Sequence, residues 1–280
     1  MDGSHPILSI AMCARDLPVA PRILAQLHPL LTQDNARAED FAALITQDPG
    51  LSASIMRVAS SPAFCRGSPP ESLNEALIRL GLKEINRIVS YVVMRQVAVP
   101  LTAYAETIDF FWRKSVACAY AMELLAEKAG IATIDYHLVG LLHSIGEIMV
   151  DRAVPPRTRF YLEESRIIIK QEQQVLGWHQ GTAAAFALRN WNLPESIVSP
   201  IEHQFVPHLA PKAHRRSAER LLTAKWLSLY SLGELAHAGA LNPIQDIVLK
   251  MPDSPLPALI PVLRRRLEAI DSIAQSINAA

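Results

Sequence analysis

Charge is scarce in this 280-residue chain: Asp, Glu, Lys and Arg make up 19% of it, and Lys+Arg balance Asp+Glu at 27 each. No net field is left to gather nucleic acid or anionic lipid from a distance. Cysteine is nearly absent. Cys13, Cys65 and Cys118 are odd in number and lack the close spacing of a zinc knuckle or redox pair, which fits reduced thiols in a cytosol and excludes a disulfide framework. No uncharged apolar run reaches the ~18 residues that a membrane span requires. The apolar stretch Pro6 to Cys13 has no cationic flank and is too short for a secretory signal, so a cytoplasmic location is expected. Strand-like alternation, a phosphate-cradling glycine loop, a nucleophile elbow, paired catalytic carboxylates, internal repeats and low-complexity tracts are likewise not found.

What is abundant is apolar side chain, at 50% of residues, recurring at three- and four-residue spacing. That pattern belongs to a folded, all-α protein with a large core. In Asp48-Pro49-Gly50-Leu51 an N-cap acid precedes a proline at the first helical position, which predicts a helix over 49–60. Ser72-Leu73-Asn74-Glu75 fits a capping box, and Gly81 supplies a left-handed stop, bounding a short helix over 73–80. Further helices are expected over 38–46, 83–97, 107–129, 135–150, 159–176, 179–190, 194–203, 213–232 and 257–277. Ile260, Leu263, Leu267, Ile270 and Ile273 give the last of these one apolar face. Pro100 is the expected hinge between two lobes, and 243–257 forms a proline-rich connector.

Two stretches carry motifs beyond periodicity. One runs from Leu17-Pro18-x-x-Pro21 through Leu44-Ile45-x-x-Asp48-Pro49-x-Leu51 and Arg57-Val58-Ala59-Ser60-Ser61 to Glu75-Ala76-Leu77-x-x-Leu80-Gly81. The other holds Phe111-Trp112-Arg113-Lys114-Ser115, Gly140-Leu141-Leu142-His143-Ser144-Ile145-Gly146-Glu147, Glu172-x4-Gly177-x-His179, Trp191-x-Leu193-Pro194 and Ile201-Glu202-His203. Together they resemble the HDOD family, a bacterial signalling group related to HD-domain phosphohydrolases. The resemblance implies an HDOD domain over 15–235, with an N-terminal lobe at about 15–100 and an HD-like lobe at about 105–235. It leaves an N-terminal segment (1–14), whose order the sequence does not fix, and a connector with a C-terminal helix at 236–280.

An active HD enzyme, the resemblance implies, holds divalent metal with histidines and a central His-Asp pair, and the metal makes hydroxide from bound water near neutral pH. This sequence departs from that pattern. Lys114 stands where an upstream histidine would, Ser144 replaces the aspartate after His143, and Lys225 stands where an acid is sought. A protonated lysine cannot ligate, and serine brings neither the charge nor the bridging geometry of a carboxylate. Lys114, His143, Ser144, His179, His203 and Lys225 are thus expected to line a vestigial pocket, with no catalytic, cofactor or metal residue assigned. His143 reads as a buried, hydrogen-bonded residue.

The expected function is a non-catalytic regulatory module that binds a protein partner or a small signalling molecule. One alternative is a metal-dependent phosphohydrolase with a rearranged site built on His179, His203 and Glu202 or Glu147. The other is a nucleic-acid binder using Arg264-Arg265-Arg266 with Lys250, or Arg215-Arg216 with Arg220, although such runs usually form a solvated helix face. His137, His208, His214 and His237 lack ligand spacing and read as surface or packing residues.

Overall fold

The computed structural model describes residues 10–13, 21–33, 35–61, 64–65, 67–97, 99–132, 134–160, 165–234 and 256–278. The Leu17-Pro18 motif, His237, Lys250 and most of the 243–257 connector lie outside the described residues. The chain divides into two compact units, one drawn from Met1–Pro18 and Ala98–Arg264, the other from Val19–Val97 and Arg265–Ala280. Its secondary structure is α-helical as expected. No helix among the described residues is long and apolar enough to cross a membrane.

In the smaller unit α1 (Pro21–Thr32), α2 (Ala38–Ile45) and α3 (Pro49–Ser60) all pack on α4 (Leu73–Val97). Phe41, Ile45, Leu51, Ile55 and Leu77 are among the buried side chains. The start of α3 forms as its sequence dictates, with Leu51 N–H donating to Asp48 Oδ1 at 3.0 Å and Pro49 at the first turn. Helix α1 has no counterpart in the expected set, because Pro29 interrupts its pattern as a breaker, yet the chain carries Pro29 inside the helix.

The capping box at α4 is only half formed. Glu75 N–H donates to Ser72 Oγ at 3.2 Å, but the Glu75 carboxylate returns to the N–H of Glu71 instead, at 2.8 Å. Gly81 ends the first helical stretch as expected: its φ of 77° and ψ of 161° are not helical, so α4 is two helical segments that meet at a kink there, the second running to Val97. That backbone region is essentially closed to residues with a Cβ. Gly81→Ala should therefore destabilise the protein by ~1–3 kcal/mol even though a Cβ there meets no atom within 4 Å. Urea unfolding checks this, and an unchanged midpoint would show that the kink relaxes freely.

In the larger unit, α5 (Ile108–Lys128) is buried along most of its length and packs on α6 (Ile134–Leu142) and α11 (Arg215–Leu232). Helices α7 (Ile145–Ala153), α8 (Ser165–Leu176), α9 (Gln180–Asn190) and α10 (Glu195–Glu202) follow, then a 3₁₀ turn at Pro207–Leu209. Helix α9 lies against α7 and α10. The last helix, α12, spans Leu256–Asn278 and is divided between the units after Arg264; Leu259, Leu263 and Leu267 are buried while Ile260 is half-buried. The side chains of Ile270 and Ile273 lie outside the described set.

Two expected helices are corrected. The helix over 135–150 is broken at His143-Ser144 into α6 and α7. Gln204 Nε2 donates to the His143 carbonyl at 3.0 Å, and Glu147 N–H turns to Ser144 O at 3.0 Å, so the i to i+4 bond that would continue the helix is replaced by a distant side chain. Of the helix expected over 159–176, Ser165–Leu176 forms α8, whereas Arg159 and Phe160 are not helical, the Phe160 N–H being committed to Ala103 O at 2.8 Å; residues 161–164 lie outside the described residues.

Candidate functional site

All six pocket residues named from the sequence belong to the larger unit, and their hydrogen bonds and ion pairs fall into two groups. The first centres on Lys114 of α5, which is buried. Its Nζ donates to Glu106 Oε1 at 2.7 Å, Glu106 Oε2 at 2.6 Å and Glu147 Oε2 at 2.6 Å. An ammonium has three N–H donors, so three carboxylate contacts leave none spare. Burial works against the charge, but Glu106 and Glu147 outweigh it and raise the Lys114 pKa. Burial pushes Glu147 the other way, up to about 6, with Lys114 holding it down.

Glu106 reaches Lys114 because residues 101–106 close into a tight turn. Leu101 and Glu106 exchange both backbone hydrogen bonds at 3.0 Å, Ala105 takes a positive φ of 54°, and Asp151 Oδ1 accepts from the Ala103 N–H at 2.6 Å. The same turn sends Tyr104 to a second buried carboxylate. Glu172 Oε1 accepts from Tyr104 OH at 2.6 Å and Gln180 Nε2 at 2.8 Å, and Oε2 accepts from Gln180 N–H at 2.7 Å.

Next to Lys114, His143 and Ser144 occupy the turn between α6 and α7. His143 Nδ1 lies 2.6 Å from Gly140 O, which can only accept, so that nitrogen carries the proton and Nε2 keeps its lone pair. Burial, with nearby Lys225, holds the His143 pKa well below its ordinary value, so the ring is neutral. Ser144 Oγ pairs with Ser115 Oγ at 2.6 Å, and Ser115 Oγ donates to Phe111 O at 2.8 Å, so Ser144 ties its turn to α5. Lys225 of α11 is also buried; its Nζ donates to Gln204 Oε1 at 2.7 Å and stands 4.2 Å from the centre of the Phe205 ring. Gln204 thereby links Lys225 to His143. Burial lowers the Lys225 pKa to about 8.

His179 and His203 form the second group, at the α9–α10 corner with Glu202. His179 caps α9, its Nδ1 accepting from Gly181 N–H at 3.1 Å, and His203 closes α10, its Nδ1 lying 2.9 Å from Ser199 O. Burial lowers the His179 pKa while Glu202 raises it. Arg189 in turn holds Glu202, at 2.6 Å. Among the described residues no group of three or more His, Cys, Asp or Glu side chains is arranged to hold a metal ion. His137 is a packing residue, fully buried with Nδ1 2.8 Å from Glu123 Oε1.

The sequence reading did not single out Glu106, Tyr104, Gln180 or Gln204, and it used Glu172 only as a spacing marker. Glu106 lies before the Thr107 cap of α5, outside the helix that carries Lys114, so only the turn reveals the pair.

Glu172 carries a pH signature. Burial raises its pKa from 4.5 to about 7, against the pull of Tyr104 and Gln180. A carboxyl whose folded pKa exceeds its unfolded one costs stability as it ionises. That cost is absent below 4.5, grows through this window and is complete above about 7, reaching on the order of 3 kcal/mol. Wild-type stability should therefore fall as pH rises from 5 to 7.5, and Glu172→Gln should flatten that fall. Urea titrations at both pH values measure it; equal slopes in the two proteins would contradict the assignment.

A family model of the HDOD domain matches residues 17–207. An uncharacterised protein of Treponema pallidum (strain Nichols) is 27% identical over 216 residues, covering 74% of this chain and 41% of the relative. The chain therefore spans less than half the length of that relative. Among solved structures, a candidate signal transduction protein from Marinobacter aquaeolei VT8 superposes with a TM-score of 0.66 at 20% identity, covering 94% of this chain and 60% of that one. A candidate phosphohydrolase from Shewanella amazonensis SB2B gives a TM-score of 0.62 at 19% identity, covering 96% of each chain. At such identities the likeness concerns the fold.

Proposed function

This chain belongs to the HDOD family, and from that premise we propose that it is a non-catalytic regulatory module of bacterial signal transduction, binding a protein partner or a small signalling ligand. One observation carries the reading: the Lys114 ammonium, tethered to α5, takes up three oxygens of Glu106 and Glu147. Those are the carboxylates beside the His143-Ser144 turn that would be needed to neutralise a divalent ion. A second ammonium, Lys225, faces the same buried region and lowers the His143 pKa by its charge. Ser144 offers a hydroxyl already engaged with Ser115. This donor set does not fit a catalytic divalent metal, which needs deprotonated ligands and an electrostatically favourable hollow.

The signalling context rests on the family and on the Marinobacter likeness. A phosphohydrolase with a rearranged site is the second reading, favoured by the closeness of His179, His203 and Glu202 and by the Shewanella likeness. Hydrolysis of bis(p-nitrophenyl) phosphate with added manganese separates the two. The proposal expects no turnover above the manganese-only rate; turnover that disappears in His179→Ala or His203→Ala would establish the enzyme.

A further inference from the structure

A groove on the larger unit, away from the buried cluster, has a volume of about 300 Å³ and is lined by Leu125 of α5 and by Arg216, Glu219, Arg220 and Thr223 of α11. That is the lower end of the ~300–1,000 Å³ range of small-molecule sites. The four α11 residues share one helix face, since positions three and four apart are neighbours. Arg220 is already oriented: its Nη1 donates to Tyr136 OH at 3.0 Å, and its guanidinium lies 5.7 Å from the centre of the same ring. The face of that guanidinium is fixed while donors remain open. Arg216 is exposed, sits in the first turn of α11, and makes no hydrogen bond or ion pair among the described residues. Glu219 lies between the two arginines in sequence, and its carboxylate pairs with neither of them.

We propose that this groove binds a phosphomonoester whose carrier bears hydroxyl groups, of the nucleoside monophosphate or sugar phosphate kind. Two guanidinium groups one helical turn apart each present a fork of N–H donors, and a phosphate has several O–P–O edges to accept both, whereas a carboxylate has one. Glu219 accepts hydrogen bonds and repels a bare anion, so it selects a phosphate that brings donors of its own. Leu125 supplies an apolar contact for the carrier. The groove is independent of the Lys114 cluster, and its ligand binds whether or not the protein has hydrolytic activity.

The test is isothermal titration of the full chain with adenosine 5′-monophosphate, glucose 6-phosphate, inorganic phosphate and adenosine. At least one ester should bind saturably, and Arg216→Ala should weaken it by at least ~10-fold, the worth of one charge-assisted contact. Lys212→Ala, an exposed charge outside the groove, should leave it unchanged. Glu219→Gln should weaken the ester and tighten inorganic phosphate. The nucleotide and sugar arms identify the carrier. Absence of saturable binding for both esters, equal loss in Arg216→Ala and Lys212→Ala, or inorganic phosphate binding as tightly as the esters would each overturn the proposal. Arg216 is exposed, so its replacement leaves the fold intact.

Discussion

Replacing Lys114 by methionine should destabilise the protein by ~3–5 kcal/mol at pH 7.5, the cost of leaving buried carboxylates without their cation. Lys114, Glu106 and Glu147 are all nearly sealed from water, with side-chain exposures of 9%, 7% and 10%. Solvent therefore cannot take over the role of the ammonium. Without it Glu106 and Glu147 repel each other across the same small volume, and Glu147, already raised by burial, favours the protonated form further. A carboxyl whose folded pKa is raised destabilises only above its unfolded pKa, so the deficit of Lys114→Met should shrink as pH falls toward 4.5. The triple variant Lys114→Met with Glu106→Gln and Glu147→Gln should recover most of the loss, because neutral partners of similar shape remove the uncompensated charge. Urea unfolding of the single and triple variants at two pH values gives all three comparisons. A loss below about 1 kcal/mol for the single variant, the value of an exposed ion pair, would show that the cluster is solvated.

Gly146→Ala should be still more damaging, at ~4 kcal/mol or more, or leave the protein unfolded. A Cβ on Gly146 would stand 1.9 Å from the carbonyl oxygen of Gln180, 2.7 Å from its carbonyl carbon and 3.1 Å from the Ala184 nitrogen. These are backbone atoms of α9, so no rotamer change relieves the clash; α7 and α9 must separate. Gln180 also holds Glu172 through its backbone and side-chain N–H groups, so separation strips a buried carboxylate of two donors. Gly67→Ala is the matched control: its Cβ would meet nothing within 4 Å, and its stability should stay within ~0.5 kcal/mol of wild type. Soluble yield and thermal unfolding of the two variants decide the matter. A Gly146→Ala protein of normal stability would mean that α7 and α9 do not approach as closely as described.

The helical class was legible in the sequence because apolar spacing and local caps act over a few residues, as the Asp48 cap on α3 illustrates. Where a distant group overrides the local pattern, the sequence misleads. The periodicity across 135–150 is unbroken, yet Gln204 captures the His143 carbonyl and splits the helix. At Gly81, by contrast, the local signal holds: its positive φ interrupts the helix between two segments. The site was half legible. Lys114, His143 and Ser144 are contiguous with recognisable motifs, and the structure places them around one buried turn. Glu106, Tyr104 and Gln204 come from turns and helix ends with no periodic signature, and they supply the partners that define what Lys114 and Lys225 do. His179 and His203 share the α9–α10 corner with Glu202.

The central claim is that a protein cation, Lys114, serves where a metal-dependent relative would need an ion. It is tested most directly by elemental analysis of protein purified without chelator. The account predicts far less than one transition-metal or magnesium ion per chain, unchanged in Glu147→Gln. One or more bound ions per chain, lost in Glu147→Gln or His143→Ala, would contradict it.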